Sequence, residues 1–343
     1  VYNGHNFNLN RGTATKAATR QPLVGNCDLA DLKPGVWTTR FEECTAWALT
    51  WAVTANGTFM GNVDALVVNE RKLNHDSGNF TERLNVLDVR FPKSGILSFT
   101  LNTPKIDCKP GNCRIENIGG WQGVATWIPG GPSHSAATDV SYSWKPDSPS
   151  TPQVMKLGRQ VSMASTIKIA GTGEDGFSLP ARFRDLRGEF YNADPTEDGN
   201  SDQIRCDNTK VVKKVTTIGC VFHNYVPTYT FDAAKYPQAS SHAWLIQQKL
   251  SNHPGSKADT KPLYFLPGAG NSNRRVICPD GWAAANGDTR VLNGPTDKRL
   301  NCDEFAFNAT YNSGGMPSSK GGLNPVSSGN ACVQTFATKP GDT

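Results

Sequence analysis

Residues 46–60 read AWALTWAVTANGTFM, and this stretch decides the fold class. Large apolar residues alternate with small ones through residues 46–53, which is the period of a β-strand with one buried face. Ala55-Asn56-Gly57 follows and favours a hairpin turn, because asparagine and glycine tolerate the positive φ angles of tight turns. The chain continues with Thr58-Phe59-Met60. The stretch therefore predicts a strand, a turn and a second strand.

Further short β-type runs lie on both sides of this hairpin, at residues 36–41, 84–89, 96–101, 124–128, 140–144 and 161–169. Clusters of Pro, Gly, Asn and Asp separate them at the spacing of an all-β sandwich. Residues 1–26 are polar and lack periodicity, which predicts an extended arm or linker. We therefore expect a mainly β fold, with a β-sandwich-like region over residues 27–225.

Six tryptophans belong to this region, at positions 37, 47, 51, 121, 127 and 144. Each buries a large apolar area, so we predict that they fill the inner faces of two sheets. The alternative is that they form a carbohydrate-stacking platform on the outside of the sheets.

Eight of the nine cysteines fall into pairs that are close together in the sequence. The expected disulfides are Cys27–Cys44, Cys108–Cys113, Cys206–Cys220 and Cys278–Cys302, which leaves Cys332. This density, without CxxC repeats or a comb of Cys and His, disfavours a zinc ribbon and predicts a secreted, extracellular protein. We expect Cys332 to pair with a cysteine downstream of Thr343, and an intermolecular bridge is the alternative.

Composition sets further limits on function. The 343 residues can bury a full core, and their number favours two domains. No run of eighteen apolar residues occurs, so no membrane span is predicted. The formal net charge of +5 is spread over both halves, and charge alone does not indicate a nucleic-acid partner.

The composition of the chain changes after Cys220. Residues 239–250 predict a helix capped by Ser240 or Ser241, which ends before His253-Pro254-Gly255. A strand is expected at 263–266, followed by a Gly/Asn loop and then by the run RRVIC at 274–278. Residues 302–307 read CDEFAF and are expected to form an aromatic strand. We predict a second, small α+β domain over residues 226–343.

Asp303 and Glu304 place two adjacent carboxylates at the start of this expected strand. Carboxylates held in this way can bind a hard divalent cation or orient a general base. Adjacent strand residues point to opposite faces, so only one carboxylate can face a given site, and the other is expected to pair with Arg274 or Arg275. His242 is a further candidate, as general base or metal ligand, although it can equally be a helix-side histidine satisfied by its neighbours.

The run from His242 through Asn273-Arg274-Arg275, Cys278 and residues 302–307 to Ser313-Gly314-Gly315 resembles the NucA/NucB family of extracellular deoxyribonucleases. It is similar to secreted actinobacterial members that have a helix, an Asn-Arg-Arg and a CDEYPFAST-like block in this order. Those members also have a β-rich N-terminal region with a Gly-x-Trp strand and an Arg-Cys-Asp stretch. Gly35-Val36-Trp37 and Arg205-Cys206-Asp207 are similar to these here.

The resemblance implies a nuclease domain of the ββα-metal type that cleaves DNA without sequence specificity, for nutrient scavenging or as an antibacterial toxin. It implies that Asp303 and Glu304 hold Mg2+ or Mn2+ and take part in catalysis with His242. Asn273, Arg274 and Arg275 would bind the substrate phosphate. The alternative is a non-catalytic extracellular binding or structural module with a degenerate nuclease-like domain, and a carbohydrate-binding surface protein is a third hypothesis.

Three departures from the family pattern are visible. Ala306 replaces the family proline, and residues 266–271 lack the acid that Bacillus-type members place before the arginine pair. The family's last helix, which is expected to supply a metal ligand, has no counterpart before Thr343. We therefore expect this chain to be a C-terminally incomplete piece of its gene product.

Overall fold

The structure is a computed structural model, and it describes residues 23–24, 27, 36–55, 57–92, 95–170, 175–176, 182–184, 190–191, 204–209, 218–223, 225–266, 268, 270–281 and 304–332. The chain divides into two compact units, Val1–Pro227 and Thr228–Thr343. The boundary expected from the sequence, between residues 225 and 226, lies two residues before this division.

The first unit is built from antiparallel strands, so the expected mainly β fold is confirmed. The strands are β1 Val36–Thr38, β2 Glu42–Ala55, β3 Thr58–Lys72, β4 Asn79–Arg90, β5 Ile96–Leu101, β6 Lys105–Lys109, β7 Cys113–Ile118, β8 Gln122–Gly123, β9 Thr126–Trp127, β10 Ala136–Trp144, β11 Val154–Ser162, β12 Ser165–Ile169, β13 Asp175–Gly176, β14 Arg182–Arg184, β15 Phe190–Tyr191, β16 Ile204–Asp207 and β17 Gly219–Phe222.

These strands form three sheets. The main sheet has the order β15-β14-β2-β3-β4-β10-β7, with β1 beside β2 and β8 beside β10. The two smaller sheets have the orders β17-β16-β11-β6 and β13-β12-β5-β9. Two hydrophobic clusters lie between the main sheet and the smaller ones: the first joins β2, β3 and β4 to β5 and β12, and the second joins β10 to β16 and β17. One face of the main sheet is thus buried in a sandwich-like arrangement.

The hairpin predicted at residues 46–60 is formed by β2 and β3, whose register pairs Ala55 with Thr58 around Gly57 at φ 75°. The run at 161–169 is divided between β11 and β12. At 124–128 only Thr126–Trp127 pairs, with Thr100 and Phe99 of β5. Trp51, Trp127 and Trp144 are buried, which confirms the core interpretation for these three. Trp121 is partly buried, and nothing is described for the side chains of the tryptophans at 37 and 47.

Three of the expected disulfides are present, Cys27–Cys44, Cys108–Cys113 and Cys206–Cys220. Cys278 is also disulfide-bonded, and its expected partner Cys302 lies outside the described residues. Cys332 is a free thiol.

The end of the predicted arm is packed against the main sheet. Val24 and Cys27 are fully buried, and they cluster with Leu66 and Val68 on a face of the sheet away from the two larger clusters. The backbone N–H of Val24 donates to Glu70 Oε2 over 3.0 Å. Residues 1–22, 25 and 26 of the arm lie outside the described residues.

A row of buried charges crosses the main sheet. Glu43, Arg71 and Glu82 are neighbours on β2, β3 and β4, and each is at most 2% exposed. Arg71 forms an ion pair with Glu43 and lies over the ring of Phe222, 5.4 Å from its centroid. The hydroxyl of Tyr142 donates to Glu82 Oε2 over 2.6 Å. Arg71 therefore offsets the charge of the Glu43 carboxylate, which has no access to water.

The described part of the second unit contains two α-helices, α1 Pro237–Lys249 and α2 Gly270–Ile277, and the 3-10 turns Ser318–Lys320 and Gly329–Ala331. Helix α1 confirms the helix predicted at 239–250 and begins two residues earlier, because a proline is favourable in the first helical turn. The expected cap is wrong, since Ser240 lies inside the helix and its hydroxyl donates to the Tyr236 carbonyl over 2.8 Å. No helix among the described residues is long and apolar enough to cross a membrane.

Two strand expectations in this unit are wrong. Residues 263–266 contribute one isolated bridge, Phe265 to Thr310, and residues 304–307 have no strand pairing. Residues 309–311 pair with 264–266, since Leu266 N donates to Ala309 O and Tyr311 N donates to Tyr264 O, and this pairing takes the position expected for residues 304–307. The expected Gly/Asn loop and the run at 274–278 form helix α2 and the cysteine that follows it.

Candidate active site

Helix α2 brings the segments of the family-like motif together. Asn273 and Ile277 are one turn apart and are buried at 2% and 8% exposure, so this face of the helix packs against the unit. Arg274 and Arg275 are exposed on the rest of the surface. The sequence Asn-Arg-Arg thus places one amide inward and two guanidinium groups outward.

The Asn273 side chain holds the chain segment that follows Glu304. Its Nδ2 donates to the Asn308 carbonyl over 2.8 Å. An amide that is buried and bonded in this way is occupied, so we assign Asn273 a positioning role and not the phosphate contact expected from the sequence. Asn308, which sequence reasoning missed, carries no side-chain signal because it takes part through its backbone carbonyl.

Glu304 pairs with Arg274 across this packed segment. Arg274 Nη1 lies 2.9 Å from Glu304 Oε1, with side-chain exposures of 46% for the arginine and 10% for the glutamate. The expectation that one carboxylate of the acidic pair contacts Arg274 or Arg275 is confirmed for Glu304. The pair orients the Arg274 guanidinium, and the arginine side chain as a whole remains 46% exposed.

The Ser313-Gly314-Gly315 motif packs on the same helix. A Cβ atom at Gly315 would lie 2.1 Å from the carbonyl oxygen of Asn273, and one at Gly314 would lie 3.5 Å from Ile277 Cδ1. Only a glycine allows the backbone at 315 to approach α2 this closely. Ser313 is fully buried beside it. The structure therefore gives this motif a packing role that positions α2.

The remaining predicted site residues lie elsewhere or outside the described residues. His242 is on α1, is partly buried and has an interaction partner. Asp303 lies outside the described residues. Arg275 is exposed and has no carboxylate partner among the residues that the structure describes.

The donors available for a metal ion are few in the described part of the chain. No group of three or more His, Cys, Asp and Glu side chains that could hold a metal occurs there. Residues 260–279, which contain α2, have neither Asp nor Glu. Carboxylate oxygens suit Mg2+ and Mn2+, so the Asp303–Glu304 pair fits the chemistry of such an ion, and Glu304 is already committed to Arg274.

Four aromatic side chains make successive ring contacts, and two of them follow Glu304 in the chain. They are Tyr229, Phe231, Phe305 and Phe307. Their ring contacts were not expected, although the density of aromatic residues at 229–231 and 305–307 was a visible signal.

No protein-family model, curated protein or solved structure matches this chain. The likeness to the NucA/NucB nucleases therefore rests on the motif residues of the sequence alone.

Proposed function

We propose that this protein is a secreted, metal-dependent endonuclease that cleaves the phosphodiester bonds of DNA without sequence specificity, in nutrient scavenging or as an antibacterial toxin. The observation that carries the proposal is the packing on α2 of two motif segments, residues 304–308 and 313–315, that come from further along the chain. Asn273 bonds to Asn308, Arg274 pairs with Glu304, and Gly315 packs on the Asn273 carbonyl. The disulfides of the first unit support the secreted location, because disulfides persist in oxidising compartments.

The roles follow from the chemistry of each group. Arg274 and Arg275 bind phosphate oxygens, since a guanidinium makes paired, charge-assisted hydrogen bonds to phosphate. Asp303 is the carboxylate assigned to a Mg2+ or Mn2+ ion, because Glu304 is engaged by Arg274. The ion would neutralise charge that develops on the phosphate. His242 remains the candidate general base for the attacking water.

The second candidate function is a non-catalytic extracellular module on a degenerate nuclease-like domain. Asn273 and Glu304 are both occupied by protein partners, and residues 260–279 supply no acid. In such a module the contacts around α2 would have only a structural role.

A plasmid-nicking assay on the full chain tests the proposal. Supercoiled DNA is incubated with Mg2+ or Mn2+ and, in parallel, with a chelator, for the wild type and for Asp303→Ala, Arg274→Ala and Lys320→Ala. Lys320 is an exposed cation of the same unit and serves as the matched control. We expect metal-dependent nicking that is lost in Asp303→Ala, weakened in Arg274→Ala and kept in Lys320→Ala. Absence of nicking with both metals would support the non-catalytic module.

A further inference from the structure

We propose that Tyr229, Phe231, Phe305 and Phe307, here called the aromatic row, form a stacking subsite for the unpaired bases of single-stranded nucleic acid. The proposal names the form of substrate that the second unit takes, and its link to catalysis rests on the proposed nuclease function. Single-strand binding proteins combine aromatic platforms for bases with cations for the backbone, and the row together with its neighbouring cations offers both.

The row is continuous. Ring centroids are 5.0 Å apart from Tyr229 to Phe231, 6.2 Å from Phe231 to Phe305 and 5.6 Å from Phe305 to Phe307, and each ring is edge-on to the next. Phe305 is held in place, because a Cβ at Gly255 would lie only 3.1 Å from its Cζ. Rings fixed in this way lose little conformational freedom when a ligand binds.

The ends of the row face solvent. Tyr229 is 69% exposed and Phe307 is 41% exposed, while the two middle rings are partly buried. The described part of the chain has seven exposed aromatic side chains. Six of them belong to the second unit: Tyr229, Tyr236, Trp244, Tyr264, Phe265 and Phe307. Folding normally buries such side chains, so their concentration on one unit indicates a binding surface.

Three acidic side chains next to the row, among the residues that the structure describes, accept hydrogen bonds from donors of the protein itself. Glu304 Oε1 is paired with Arg274 at 2.9 Å. Asp232 Oδ1 accepts from the backbone N–H groups of two following residues, at 3.0 and 3.2 Å. Asp259 Oδ2 accepts from the Ser256 hydroxyl at 2.6 Å.

The neighbouring cations are available instead. Lys257 and Lys261 are exposed in the turn that begins at Gly255, which packs on the Phe305 ring. Arg275 is exposed on α2, next to the arginine that holds Glu304. These three cations have no carboxylate partner among the described residues, so the surroundings of the row favour an anionic ligand.

These features favour a single strand over the other possible ligands. In a duplex the base faces are covered by neighbouring base pairs, whereas unpaired bases expose them to aromatic rings. A neutral glycan could also stack on the rings, but it would leave the cations without a partner. A single-stranded polyanion satisfies both the rings and the charges.

Fluorescence anisotropy with labelled oligo-dT of about twelve nucleotides, in the presence of a chelator, measures binding without cleavage. We expect Phe307→Ala and Tyr229→Ala each to weaken binding by about 5-fold or more, since stacking contributes about 1–3 kcal/mol per base. Phe307→Tyr should retain binding, and Phe59→Ala, a change of an exposed aromatic residue in the first unit, should not alter it. An abasic strand of equal length should bind weakly and equally to all variants.

Three results would overturn the proposal: unchanged oligo-dT binding in both alanine variants, equal affinity for the abasic strand, or row-dependent binding of a neutral glucan such as cellohexaose in place of oligo-dT. Circular dichroism verifies that each variant is folded. The nicking assay separates this test from that of the proposed function, because row-dependent binding without cleavage keeps the subsite and removes the nuclease. Cleavage without row-dependent binding keeps the proposed nuclease function and removes the stacking subsite.

Discussion

Replacing Gly315 by alanine should displace helix α2 and destabilise the second unit. The added Cβ would lie 2.1 Å from the Asn273 carbonyl oxygen and 2.6 Å from its carbon, and both are backbone atoms of a helix that cannot rotate away. Real Cβ contacts do not come closer than about 3 Å, so the helix or the loop must move by roughly 1 Å. Such overpacking costs about 3 kcal/mol, and it also strains the hydrogen bond from Asn273 to Asn308.

Urea unfolding followed by the helical circular-dichroism signal measures this effect, because both described α-helices belong to the second unit. Two other alanine variants, with smaller expected effects, serve as controls. Gly314→Ala meets a movable Val326 methyl at 3.2 Å and should change stability by less than about 1 kcal/mol, and Gly120→Ala meets nothing within 4 Å. If Gly315→Ala unfolds at the wild-type urea concentration, then residues 313–315 do not pack on α2, and the assembly of the candidate site is incorrect.

Three further predictions concern buried groups and cysteines. Arg71→Met should destabilise the first unit by about 3–5 kcal/mol in urea unfolding, because it removes the cation that is paired with the buried Glu43 carboxylate. Lys72→Met at an exposed pair should cost under about 1 kcal/mol, and equal effects would contradict the buried-charge argument. Burial raises the pKa of the Cys332 thiol, so less thiolate is present at neutral pH. Iodoacetamide should therefore react with Cys332 several-fold more slowly than with free N-acetylcysteine. An equal rate would contradict the burial of this thiol. Peptide mapping without reduction should recover Cys278 linked to its local partner, and a link to the first unit would overturn the pairing scheme.

The first unit could be predicted from the sequence because its signals are local. The alternation at residues 46–53 and the turn at Gly57 act over a few residues, and the paired strands β2 and β3 follow directly from them. The strands need no distant contact to be recognised. What the local pattern could not indicate was the row of Glu43, Arg71 and Glu82, since charges on a long strand ordinarily predict a solvated face.

The second unit was harder because distant contacts decide its local structure. The start of α2, Gly270-Asn271-Ser272-Asn273, is a poor helix-forming sequence and resembles a loop. It is helical here with Asn273 bonded to Asn308 and packed against Gly315, residues 35 and 42 positions away. Residues 302–307 have the aromatic content of a strand, but residues 309–311 take the pairing position beside 264–266.

The Arg274–Glu304 pair gives the two adjacent carboxylates different expected phenotypes. In the proposed nuclease Glu304 acts through Arg274, so Glu304→Gln loosens the guanidinium but leaves its charge. Substrate KM should then rise by about 10-fold with kcat nearly unchanged, and the metal requirement should stay the same. Asp303→Asn removes a ligand of the ion and should lower kcat and raise the metal concentration required. If both variants shift the metal requirement equally, Glu304 is itself a ligand and its contact with Arg274 does not persist in the working enzyme. If neither variant changes anything beyond a stability loss under about 1 kcal/mol, the pair is structural and the non-catalytic module accounts for the motif.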